Sequence, residues 1–200
     1  MKYLPTLPHT ARRAIAAIAT ASVAGLIITT AAVAASSSGT ALASDTARVS
    51  AAVPGCHASQ LGAWVAIGQG NGAAGSIYYP LQFTNLSSHA CAMRGFPGVS
   101  AISRTGHQLG SPARWAGVAP VSTVILAPGA TAHTILQWSD ATVTTAPGCD
   151  PVFTTFELRV YPPGQYSATY AAFDLEACSH AGPIYLSVGP IRPGVGTING

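Results

Sequence analysis

The side chains of this 200-residue chain best suited to metal or acid–base chemistry are four cysteines, six histidines and six carboxylates. His57 adjoins Cys56 and His89 lies two residues before Cys91. With Met93 and His180 they make a donor set of the kind that holds copper or zinc outside the cytoplasm. No pair has a fixed metal spacing and no C-x-x-C element occurs, so loop histidines beside disulfides are the preferred reading. Asp174 and Glu176 stand two apart, which puts both on one face of a strand. Paired carboxylates can hydrolyse glycosides, but a solvated strand face is the simpler expectation. No G-x-S-x-G elbow is present, and no order of Ser, His and acid stands out. A secreted hydrolase is therefore the weakest reading, and no catalytic residue or cofactor is assigned. Tyr78, Tyr161 and Tyr185 fall on expected outward strand positions, where tyrosine supplies low-entropy contact area for recognition.

The elements that must carry these groups centre on Ser76 to Gly98. Ile77, Tyr79, Leu81 and Phe83 alternate, which predicts one buried face of a strand. Pro80 has no amide donor and should lie at an edge or a bulge. Asn85 to Ser88 is a turn, and a return strand carries Cys91 and Met93. Upstream, Leu61 to Gly68 reads as a strand and Gln69 to Gly75 as a hairpin turn. Downstream, Val99 to Arg104, His107 to Leu109, Val121 to Ala127, Ala132 to Trp138, Phe156 to Tyr161, Ser167 to Phe173 and Ile184 to Val188 read as further strands. Val121 to Ala127 is β-branched enough to be buried, and Trp115 should be pinned to the core. His107 and His133 take outward positions. No helical period extends over eleven residues after Ser44; Leu175 to Ser179 makes at most a turn. About seven to nine short strands between Gly and Pro turns predict an antiparallel β-sandwich.

The N-terminus is different. Lys2, Arg12 and Arg13 precede an apolar run from Ala14 to Ala35, and Ala41-Leu42-Ala43 is an A-x-A cleavage pattern. This is the grammar of a secretory signal over 1–43. The run, about 22 residues, is also long enough for an uncleaved membrane anchor. Residues 44–55 read as a linker. Without Lys2, Arg12 and Arg13, six arginines face six acidic residues. The basic balance thus belongs to the targeting segment, and no electrostatic footprint for nucleic acid remains. The absence of lysine after Lys2 also removes Schiff-base and phosphate-loop chemistry. Four cysteines in an exported chain read as disulfides. Of three possible pairings, Cys56–Cys91 and Cys149–Cys178 each link neighbours across a plausible strand pair. Each closes a loop of about 30–36 residues, worth roughly 3–4 kcal/mol.

The ordered motifs carry a resemblance. They are Cys56, then Thr84-Asn85 before Cys91, Gly95-Phe96-Pro97-Gly98-Val99, Leu126-Ala127-Pro128-Gly129, Trp138 and Cys149. Leu158-Arg159-Val160-Tyr161-Pro162-Pro163-Gly164, Cys178 and Val188-Gly189-Pro190 follow. In this order they resemble the actinobacterial exported family called domain of unknown function 4232, over nearly all of the chain after the signal. The resemblance implies an immunoglobulin-like sandwich and no activity. The expectation is therefore an all-β, immunoglobulin-like antiparallel sandwich, disulfide-stapled, over 56–193 with a tail at 194–200. It would be secreted or held at the cell surface, and would bind an envelope protein or a glycan without catalysis. Membrane contact would come only through an uncleaved N-terminal segment.

Overall fold

The computed structural model describes residues 52–117, 120–153 and 155–197. The signal or anchor expected over 1–43 lies outside the described residues. Fifteen strands follow in order: β1 (Leu61–Val65), β2 (Asn71–Ala73), β3 (Ser76–Asn85), β4 (Cys91–Arg94), β5 (Gly98–Ser103), β6 (Gln108–Leu109), β7 (Arg114–Trp115), β8 (Thr123–Leu126) and β9 (Thr131–Trp138). After helix α1 (Asp140–Thr145) come β10 (Pro151–Val152), β11 (Thr155–Tyr161), β12 (Thr169–Ala172), β13 (Ala177–Cys178), β14 (Leu186–Val188) and β15 (Arg192–Pro193). One layer runs β1-β3-β9-β14-β7, with β2 added to β3 and β15 to β9. The other runs β12-β11-β5-β6, and the pairs β4–β8 and β10–β13 stand apart. The pairing is antiparallel except for β14–β7 and an isolated bridge, Gly55–Ala92. The fold is an immunoglobulin-like antiparallel β-sandwich stapled by two disulfides.

Strand alternation builds the core. Leu81 and Phe83 of β3 and Leu136 of β9 meet Val99 of β5 and Leu158 and Val160 of β11, all fully buried. Burying each such side chain contributes about 1.5–3 kcal/mol. The disulfides are Cys56–Cys91 and Cys149–Cys178, with Cα separations of 4.8 and 4.9 Å. Two disulfides are consistent with an oxidising, extracytoplasmic location.

Several local expectations are corrected. Pro80 lies in β3, an interior strand between β1 and β9. Its carbonyl accepts from Ala66 N (3.0 Å) on the β1 side, just beyond the end of β1. In an antiparallel ladder a residue's N–H and C=O point to the same neighbour. The missing donor therefore faces the gap between β1 and β2, and the ladder to β9 loses nothing. The β2–β3 turn is Ala74-Gly75, both at positive φ. β4 does not return along β3 but crosses to pair with β8. In β8 only Val124 and Leu126 face inward; Ile125 is 59% exposed. Trp115 is 67% exposed and stacks on Phe96, with centroids 5.5 Å apart. Helix α1 was not legible as a period because it has only six residues; Ser139 caps it, its Oγ accepting from Thr142 N.

Tyr185 is a further reversal. It is buried, 1% exposed, while Ile184 points out. Gly110, at φ +65, explains why: a Cβ there would sit 2.3 Å from the Tyr185 ring. The phenol slides over that glycine and donates to Leu109 O at 2.8 Å.

Candidate functional site

One end of the sandwich, where β3 begins and β9 ends, opens into a cleft of about 420 Å³. Tyr79 comes from β3 and Trp138 from the last position of β9. Phe173, Asp174, Leu175 and Glu176 come from the segment joining β12 to β13. Alternation sorts this segment: Phe173 and Leu175 are buried, Asp174 is exposed and Glu176 half-buried. Trp138 Nε1 donates to Glu176 O (3.0 Å), which ties the segment to β9. Phe173 meets Tyr79 edge to face, with centroids 4.9 Å apart. Burial pushes the Tyr79 phenol above its ordinary range, so it stays protonated. Arg104, from the β5–β6 turn, and Phe153, 82% exposed just after β10, complete the wall. A neighbouring depression of about 320 Å³ is lined by Ser103, Thr105 and the same Arg104 and Phe153. Those two side chains thus border both hollows.

The Cys149–Cys178 bridge joins the segments that lead into two parts of this wall, through β10 to Phe153 and back from β13 to Glu176. β10 pairs with β13, Pro151 opposite Cys178, so the bridge and a two-residue ladder fix Phe153 and Glu176 near each other. The cleft brings together four aromatic rings, two carboxylates and one guanidinium. Its volume and mixed lining are those of a small-ligand site. A second groove, about 500 Å³, runs beside Trp64, Ile67, Gln82 and Val195. Among the described residues no ionisable side chain lines it, and the Gln82 amide is already paired in both directions with the backbone of Gly196.

The residues singled out from sequence are placed differently. Asp174 and Glu176 do share one face and one cleft. His57 and His89 are both exposed near the first bridge; His89 Nδ1 bonds Ser88 Oγ. Met93 is 2% exposed inside the core, so its sulfur faces apolar neighbours. His180 is exposed and follows β13, the strand that carries Cys178 of the second bridge. Met93 is thus withdrawn from the exposed histidines of the expected copper or zinc set. Among the described residues no group of three or more His, Cys, Asp or Glu is placed to hold a metal ion. The tyrosine surface is not formed either. Tyr185 is core, Tyr78 lies on the outer face of one layer, and Tyr161 lies on the outer face of the other beneath Arg159.

Sequence reasoning missed Tyr79, Trp138, Phe153, Phe173 and Arg104 as site residues. Tyr79 lies within β3 and the others at or just past the ends of four further strands, and only the sheet topology joins them. The available signal was Phe173-Asp174-Leu175-Glu176, where alternation already separates two rooted apolar side chains from two acids on the other face.

No curated protein and no solved structure matches this chain. A family model does, over residues 56–192, from the first cysteine to β15. The chain belongs to the family described as domain of unknown function (DUF4232).

Proposed function

We propose that this protein is an exported, non-enzymatic binding module whose cleft holds a glycan of the cell envelope. The observation that carries this reading is the convergence of Tyr79, Trp138, Phe153 and Phe173 with Arg104, Asp174 and Glu176 in one open cleft. Aromatic faces pack on the apolar faces of sugar rings, and charged groups bond the hydroxyls by charge-assisted hydrogen bonds. The adjoining depression across Arg104 and Phe153 offers room for a second ring. Binding is favoured over hydrolysis because Asp174 is solvent-exposed and Glu176 only half-buried. A general acid needs a drier seat to hold its proton at neutral pH.

The test is a titration of the purified protein with soluble oligosaccharides released from cell envelopes, followed by tryptophan fluorescence. Trp138 reports on the cleft. The expected result is saturable binding that weakens about tenfold or more in Phe153→Ala, the loss of one exposed stacking platform, roughly 1–2 kcal/mol. Absence of binding across the panel, or binding indifferent to Phe153→Ala and Arg104→Ala, overturns the reading.

A further inference from the structure

The charge balance of the cleft narrows the ligand. This step rests on the glycan reading above. Two carboxylates, Asp174 and Glu176, face one guanidinium, Arg104. Trp138 and the exposed Phe153 wall the same hollow, and the face of an aromatic ring carries the negative side of its quadrupole. Arg104 stands at the border with the second hollow, whereas both acids belong to the first alone. The first hollow is therefore an electronegative, aromatic-walled space.

We infer that the cleft selects an amino sugar carrying a free ammonium group over its N-acetylated counterpart. The ammonium bonds Asp174 or Glu176 and lies against the aromatic wall, while the sugar ring stacks. An acetamide in the same place is neutral and brings no positive charge to offset the cleft's excess of carboxylate over guanidinium. The second hollow, bordered by Arg104, takes the next ring.

The experiment compares glucosamine and N-acetylglucosamine oligomers of equal length and linkage. Both are titrated calorimetrically into the protein at a pH below about 6, where amines of this kind are protonated. The glucosamine oligomer is expected to bind about tenfold tighter, the scale of one partly solvated charge-assisted hydrogen bond. The double variant Asp174→Asn with Glu176→Gln lowers its affinity to that of the N-acetylated oligomer. Unchanged thermal melting of the variant shows that the fold survives. Equal affinity of the two oligomers for the native protein overturns the selectivity and leaves the glycan reading standing. Binding of neither oligomer, with envelope glycans also inert, overturns both. A linear polyamine of the same charge serves as the control. If it binds as tightly as the glucosamine oligomer, charge alone is read and the amino-sugar inference fails.

Discussion

The two ends of the sandwich use the same covalent device for different purposes. At the Cys56–Cys91 end both cysteines are buried and the chain closes as ordinary interior. Asn85, fully buried, organises it. Its Nδ2 donates to His89 O (2.8 Å) and Leu126 O (3.0 Å), and its Oδ1 accepts from Ser87 N and Ser87 Oγ. Every polar atom of that amide is used, so the turn, β4 and β8 are locked together. At the other end Cys149 is only half-buried, the flanking strands have two residues each, and α1 is a short cap. Little regular structure holds that end, and a cleft remains. Position rather than disulfide chemistry decides which bridge is enclosed in the core and which is flanked by strands that border the cleft.

The largest effects should separate the ends. Replacing Cys56 and Cys91 together by alanine should cost about 4 kcal/mol from loop closure alone, for a separation of 35 residues. Replacing Cys149 and Cys178 should cost nearly as much, for a separation of 29. Denaturant unfolding measures both. Ligand titration under native conditions should then split them: the second variant loses affinity because Glu176 and Phe153 lose their tether, and the first does not. Equal loss of binding in both would erase the distinction. Asn85→Ala should come next, at about 3 kcal/mol, because it strips buried carbonyls of their donor. Its effect should also be confined to stability, read by the same two measurements.

How much of this was legible beforehand differs between the ends in the same way. The alternation of Leu81 and Phe83, the strand at Ala132 to Trp138 and both cysteine pairings are local signals, and local reasoning reached them. The cleft joins positions 79, 104, 138, 153 and 173–176, whose proximity depends on strand order. Strand order is set by long-range packing, which periodicity does not encode. The inward turn of Tyr185 had the same cause. Its alternation partner Ile184 is equally apolar, and the choice falls to Gly110, 75 residues earlier, whose missing side chain makes room for the ring. Trp115 shows the converse: an aromatic can satisfy itself on Phe96 at the surface without reaching the core.

Tyr185 also gives the cleft end a pH signature. Burial pushes its phenol well above the ordinary tyrosine range. Below pH about 10 both folded and unfolded states keep the proton, and stability does not depend on this group. Above that, the unfolded chain releases it while the folded chain holds it. Stability therefore falls as pH rises, by up to about 1.4 kcal/mol per pH unit, until the folded phenol also ionises. Tyr185→Phe should cost about 1–2 kcal/mol at neutral pH, since Leu109 O loses its donor. It should also shallow the alkaline fall measured by urea unfolding from pH 9 to 11. An unchanged slope would mean that another group governs alkaline unfolding.

The smallest effect tests whether the cleft end carries backbone strain that can be relieved without touching the site. Ala74 sits at φ +48, followed by Gly75 at φ +73, in the tight turn that joins β2 to β3. Two successive positive φ values define the type I′ hairpin turn, which matches the twist of the strands and favours Asn-Gly. Alanine there costs roughly 1 kcal/mol of left-handed backbone energy that asparagine largely avoids. Residue 74 is exposed, so no packing offsets the change. Ala74→Asn should therefore raise stability by about 0.5–1 kcal/mol, a gain of roughly 2–3 °C in Tm for a domain of this size. Ligand affinity should stay constant, because the turn lies outside the cleft lining. A stabilised variant that binds more weakly would show that the hairpin moves with the cleft, and would tie the β2–β3 turn to the site that its neighbour Tyr79 helps to line.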